Sequence, residues 1–211
     1  MIIKVVCAGK DDFSKLYKKD ENEFLIGVDG GAQTLIKNKL DVDLAIGDFD
    51  SSSLNKVKAK SKAVMEFPVI KSESDLELTL KYIASKEFSK VVTKRALKNI
   101  IIYNATGKRL DHYQSTINAV IRYMHLPIII VDSNNRIEII NSKTIFKKSE
   151  YKYISFFAID EGTIISLSGF KYNLENYNLK LLDGLCLSNE IVEEKAQIET
   201  NNKKILVIQS N

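Results

Sequence analysis

The 211-residue chain is 45% hydrophobic and 27% charged, the balance of a soluble globular protein with room for one large domain or two small ones. Its net charge of +4 is spread along the sequence with no basic tract, the aromatics are not interleaved with Lys/Arg as in RNA-binding motifs, and no segment nears the ~20 apolar residues of a membrane span. Nucleic acid and membrane are therefore excluded as expected partners, while Cys7 and Cys186, without metal-type spacing, and an apolar start too short for a leader suit a reduced cytoplasmic protein.

The β-branched run over residues 2–7 predicts a buried strand that turns at Ala8-Gly9-Lys10 into a helix. Gly9-Lys10 lacks the other glycine and the Ser/Thr of a P-loop, so it reads as a plain strand-to-helix turn. A second strand over 24–28 runs into Asp29-Gly30-Gly31, with a helix from about Ala32. Paired glycines there allow close backbone approach to a ligand and leave N–H groups free at the helix start, where anions are stabilised. An ordinary Asp-Gly turn fits the same residues.

A third short strand, 44–46, delivers Gly47-Asp48-Phe49-Asp50-Ser51. In extended backbone, side chains two positions apart leave on one face, roughly 7 Å apart at Cα, so Asp48 and Asp50 can turn to one point. Converging carboxylates repel unless a hard divalent cation lies between them. The stretch thus predicts either a Mg²⁺ site or an Asp-rich turn in which Asp48 or Ser51 caps the following helix.

A lysine-rich helix from Leu54 to about Lys62 and a strand over 63–67, closed by Pro68, come next. Lys71-Ser72-Glu73-Ser74-Asp75 then opens a helix with Leu76, Leu80 and Ile83 on one face, and Ser74 or Asp75 stands where a cap is wanted. A strand over 99–105 leads into Thr106-Gly107-Lys108-Arg109-Leu110-Asp111-His112. In the helix that begins there, Leu110, Tyr113, Ile117, Val120 and Met124 form the apolar face, whereas Arg109, Asp111 and His112 are not demanded by packing.

With the strand at 128–131, strand–helix alternation implies βαβ units and a largely parallel sheet, whose ligands bind beyond the carboxyl ends of the strands. Asp29, Asp48, Asp50, Ser74-Asp75 and the group from Arg109 to His112 should then meet at one edge. Beyond Val131 only short alternating runs remain, at 136–140, 144–146, 153–158, 163–168, 178–182, 196–199 and 204–208, parted by turn residues. The expected fold class is therefore α/β: an N-terminal, mostly parallel α/β sheet domain over 1–132, followed by a C-terminal antiparallel β-sandwich over 133–211.

Taken together, Asp29-Gly30-Gly31-Ala32, Gly47-Asp48-Phe49-Asp50-Ser51, Ser74-Asp75-Leu76-Glu77-Leu78, Ala105-Thr106-Gly107 with Arg109-Leu110-Asp111-His112, Gly169-Phe170-Lys171-Tyr172-Asn173-Leu174 and Ser188-Asn189-Glu190 resemble the thiamin pyrophosphokinase family over nearly the whole length. The resemblance implies transfer of pyrophosphate from ATP to thiamin, giving thiamin diphosphate and AMP. It implies Mg²⁺ on Asp48, Asp50 and Asp75, which with Arg109 and Asp111 form the catalytic set. Asp29, Gly30, Ser74, Arg109 and His112 would bind the nucleotide, Ser188 and Asn189 would touch thiamin, and a homodimer would carry the thiamin site at its subunit interface. Ser72, Ser74, Asn104 and Lys108 depart from the family pattern, the last two replacing common glycines. With no tryptophan, an aromatic wall for thiamin would come from Tyr or Phe, such as Tyr172. Asp111 and Asp75 both remain open as the proton acceptor. A Mg²⁺-dependent nucleotide phosphohydrolase on the same scaffold and a non-catalytic thiamin- or nucleotide-binding protein are the alternative readings.

Overall fold

Six strands pair in parallel within the first of two units into which the chain divides, Met1–Ser133 and Asn134–Asn211. The structure is a computed structural model that describes residues 1–10, 13–49, 54–68, 70, 72–92, 96–107 and 109–211. The strands are β1 (Ile2–Val6), β2 (Glu23–Val28), β3 (Leu44–Gly47), β4 (Val64–Glu66), β5 (Asn99–Tyr103) and β6 (Ile128–Val131), laid side by side in the order β4-β3-β2-β1-β5-β6. Central β1 places Ile3 between Phe24 and Ile100 and has both faces covered, which is why it reads as a nearly unbroken Ile/Val run.

Helices α1 (Phe13–Leu16), α2 (Gly30–Lys37) and α3 (Leu54–Lys60) bury Phe13, Ala32, Leu35 and Val57 against Val6, Leu25, Ala45 and Tyr103. Phe24, one residue from Leu25 and so on the opposite face, meets Phe88 of α5 (Lys86–Val91) edge-on at 5.5 Å between ring centroids. Helix α4 (Asp75–Ile83) packs on β2, on β3 and on α6 (Leu110–Arg122), to which an Arg122–Glu77 ion pair ties it. This is a doubly wound layer arrangement.

The expected helix after β1 is present as a single turn. One expectation needs correction here. The strand expected over 99–105 stops at Tyr103, where Asn104 takes a left-handed φ of 56°, far from extended backbone.

The second unit is antiparallel. Strands β7 (Asn135–Ile140), β8 (Thr144–Lys147), β9 (Tyr153–Ala158), β10 (Thr163–Ser168), β11 (Leu174–Leu179), β12 (Lys195–Thr200) and β13 (Ile205–Ser210) form two layers, β7-β13-β9 and β11-β10-β12-β8. Phe146, Ile165, Leu179 and Ile198 from one layer and Ile154, Phe156, Ile205 and Val207 from the other share a core with Phe170. The strand expected over 178–182 begins at Leu174 instead. Its Glu-Asn-Tyr-Asn stretch has weak strand propensity and is held by pairing across a bulge in β10.

Candidate functional site

The sheet order reverses at β1: the chain steps from β1 through β2 and β3 to β4 on one side, and from β5 to β6 on the other. A crevice beyond the carboxyl ends of β1 and β5 follows from that reversal, and such switch points are where open α/β sheets bind ligands. Its walls are Cys7-Ala8-Gly9 and Asn104-Ala105-Thr106. The Gly9 N–H donates to the Asn104 carbonyl at 3.1 Å, and a Cβ at Gly9 would come within 2.2 Å of that oxygen.

Beside this crevice, β2 ends in Asp29, whose N–H donates to the Ile46 carbonyl of β3 at 2.7 Å. Asp29 has φ 49° and ψ −119°, a conformation seldom adopted by L-residues, and gives α2 no side-chain cap. The glycine pair after it serves packing: a Cβ on Gly31 would lie 1.7 Å from the Val6 carbonyl oxygen, so α2 can start this close to β1 only without one. Gly47 fits against Asp29 in the same way, with a Cβ there 3.1 Å from the Asp29 Cα, and it hands the chain to half-buried Asp48. Asp50 and Ser51, and likewise Lys71 and Lys108, lie outside the described residues.

Asp75 enters from α4. Ser74 is the N-cap, its Oγ accepting from the Glu77 N–H at 3.2 Å, so the capping reading holds for this serine. Asp75 opens the helix, and its charge reaches Cys7 at the end of β1: burial first, and then Asp75, push the Cys7 thiol up to about 12. Asp29, Asp48 and Asp75 thus line the carboxyl edge of β3, β2 and β1. Among the described residues no group of three His, Cys, Asp or Glu side chains is close enough to hold a metal ion. The carboxylates on this edge are nevertheless the hard oxygen donors Mg²⁺ takes, and Asp50 would be the third of the expected ligand set.

The start of α6 carries the cationic part. Arg109 donates from Nη2 to Asp111 Oδ2 at 2.5 Å and from Nε to Oδ1 at 3.2 Å, with both side chains about two-thirds exposed. That fork holds the Asp111 carboxyl down at about 2. His112 is exposed one residue on.

In the second unit Ser188 is exposed with φ 55°, its N–H bonded to Ser155 Oγ at 2.9 Å. Asn189 is only 3% exposed, and its amide is spent on the loop that carries Tyr172. Its Oδ1 accepts from the Tyr172 N–H at 3.0 Å, while its Nδ2 donates to the Tyr172 carbonyl at 2.8 Å. Tyr172 itself is 62% exposed.

Sequence reasoning read Gly9 only as part of a strand-to-helix turn and passed over Asp132. Asp132 follows β6 as Asp29 follows β2, so the rule that picked out Asp29 applied equally there.

Family models described as "Thiamin pyrophosphokinase, catalytic domain" and "Thiamin pyrophosphokinase, vitamin B1 binding domain" match residues 15–131 and 142–205. The chain is 28% identical over 200 residues to the thiamine pyrophosphokinase of Bacillus subtilis, covering 90% of this chain and 89% of that one. It is 25% identical over 198 residues to thiamin pyrophosphokinase 1 of Caenorhabditis elegans, covering 89% and 79%. The crystal structure of the Bacillus subtilis enzyme superposes with TM-score 0.83 at 27% identity, over 100% of this chain and 99% of that one. The yeast thiamin pyrophosphokinase structure shares the fold at 16% identity and TM-score 0.73, over 100% and 86%.

Proposed function

This chain belongs to the thiamin pyrophosphokinase family, enzymes that transfer pyrophosphate from ATP to thiamin, and we propose that its first unit performs the transfer on a magnesium nucleotide held by Asp48, Asp50 and Asp75. The observation that carries this reading is the edge itself: carboxylates from three separate stretches follow β2, follow β3 and open α4, beside the switch point at β1. Bound there, Mg²⁺ would neutralise phosphate charge.

The remaining roles belong to side chains. Asp29 lines the nucleotide side of the edge, with Gly30 and Ser74 at the helix starts beside it. Arg109 sets its guanidinium against phosphate oxygens, leaving Asp111 to orient it. Asp111 serves in charge pairing with Arg109, and Asp75 or Asp111 takes the hydroxyl proton. His112 completes the nucleotide side. The hydroxyethyl oxygen of thiamin bonds to the β-phosphorus as the bond from that phosphorus to the α,β-bridging oxygen breaks, and AMP leaves. Transfers of this kind depend chiefly on positioning and charge neutralisation.

Thiamin is received by the second unit around Ser188, with exposed Tyr172 as its aromatic neighbour and Asn189 fixing both through the loop backbone. The chain works as a cytoplasmic homodimer with its thiamin site at the subunit interface. Exposed Leu181, Leu182, Leu185, Leu187 and Val192, close in sequence to Ser188, are the apolar surface such an interface would cover. Purified protein given thiamin, ATP and Mg²⁺ should release AMP and thiamin diphosphate one to one, with release stopped by a chelator. AMP release independent of thiamin would replace this reading with nucleotide hydrolysis.

A further inference from the structure

The segment after β5 is secured at three successive residues by three different elements. Asn104, left-handed at φ 56° and 2% exposed, accepts the Gly9 N–H from the loop after β1. Ala105 offers its carbonyl to Thr116 Oγ1 of α6 at 3.4 Å. Thr106 donates its hydroxyl to Asp132 Oδ2, just beyond β6, at 2.6 Å. The last is a short hydrogen bond, and its acceptor is only 6% exposed. Tyr113 of α6 lies close enough for the Asp132 charge to act on its phenol.

A turn between a strand and a helix needs none of this to exist. Asp132 is a buried acidic side chain, and burying a carboxyl group is costly unless it is hydrogen-bonded, so its presence calls for a reason. The reason is placement: the segment ends two residues before Arg109, whose guanidinium must sit at the phosphates, and a shift of about 1 Å at such a group can cost on the order of 100-fold in rate.

We propose that Asp132 is a positioning residue for the transfer: from the end of β6 it accepts the Thr106 hydroxyl and so fixes the segment 104–107 that presents Arg109 to the nucleotide phosphates. Asp132 touches no substrate in this scheme and acts through Thr106. The inference rests on the nucleotide reading above.

The test uses the full chain with substitutions Asp132→Ala, Asp132→Asn, Thr106→Val and Thr106→Ser, and the double variant Thr106→Val/Asp132→Ala. Both Asp132→Ala and Thr106→Val should lower kcat/KM for ATP about 10- to 100-fold and leave KM for thiamin within twofold. The double variant should be no worse than the worse single, because one bond is removed twice. Asn and Ser retain an acceptor and a donor, so they should recover most of the loss. Should Asp132→Ala fail to fold, Thr106→Val carries the test alone, since it removes one hydroxyl at near-constant volume. Without any ATP, hydrogen exchange over peptide 103–107 should speed up at least tenfold in both single variants. Singles within twofold of the parent chain, losses that multiply in the double variant, an Asn as damaging as Ala, or unchanged exchange would each overturn the proposal. A parent chain that binds no nucleotide would instead sink the nucleotide reading and leave the exchange result to judge the clamp.

Discussion

In the first unit, carboxylates gather at the strand ends beside left-handed backbone; in the second, amide side chains tie one loop to another. Asp29, Phe49 and Asn104 hold left-handed backbone around the carboxyl edge, a conformation that costs of order 1–3 kcal/mol each and persists only where surroundings impose it. In the sandwich, Asn189 fastens Tyr172, Asn173 Oδ1 accepts from the Phe170 N–H at 3.1 Å, and Asn201 spans Ile164 and Gly162. The first unit thus presents charge, and the second presents shape and apolar surface, with Leu182 and Ser188 left-handed in the connection that carries its candidate binding loop.

That contrast is sharpened most by exchanging charge for amide at the edge. Asp48→Asn and Asp75→Asn should each lower pyrophosphate transfer by roughly 10³-fold or more, on the order of 4 kcal/mol in the barrier, with a melting temperature little changed. Ser188→Ala should cost under tenfold, expressed in KM for thiamin. Equal losses at Ser188 and Asp48 would break the division of labour.

Stability is expected to divide the other way. Phe156, fully buried and stacked edge-on with Phe170 at 5.5 Å, anchors the sandwich. Phe156→Ala should cost about 3–5 kcal/mol in urea unfolding, and an effect below 1 kcal/mol would show that the second unit does not rest on this core.

Alkaline pH probes both units. Burial raises the Cys7 thiol to about 12 and the Cys186 thiol to about 11 from an ordinary 9.0, with Asp75 and Asp183 adding to the effect. A raised acid holds its proton in the native state, so the stabilisation is complete below pH 9 and is lost as pH rises from there toward 11–12, where the unfolded chain alone has ionised. Stability should fall by at most about 1.4 kcal/mol per pH unit for each thiol, and Cys186→Ser should flatten the slope.

The smallest effect belongs to the exposed fork on α6. Arg109→Ala should let the Asp111 carboxyl rise from about 2 toward 3.8, visible by NMR titration, with no measurable change in stability. An unshifted Asp111 would deny the pairing and with it the role of Arg109.

Much of this was legible in the sequence because apolar periodicity and strand-end chemistry are local. The alternation of strands and helices to Val131, and the carboxylates at 29, 48 and 75, could be read from runs of a few residues. Lys4 could not. It interrupts an apolar strand, and it is 1% exposed, with its ammonium 2.7 Å from both Asp20 and Glu23 and over the Tyr17 ring. Partners sixteen and nineteen positions away are set by tertiary pairing, which no local pattern encodes. The strand order was equally hidden, and with it the switch point that makes the ends of β1 and β5 the centre of the site. Gly31 was read as leaving room for a ligand, whereas the Val6 carbonyl oxygen claims that room.

The most direct measurement is calorimetric titration with a methylene analogue of ATP that cannot be cleaved between the α and β phosphates, with and without Mg²⁺, on the parent chain and on Asp48→Asn and Asp75→Asn. The parent chain should bind the analogue at least tenfold more tightly with Mg²⁺, and the folded variants should lose that gain. Variants that keep the full Mg²⁺-dependent gain would contradict the carboxylate edge as the seat of the nucleotide.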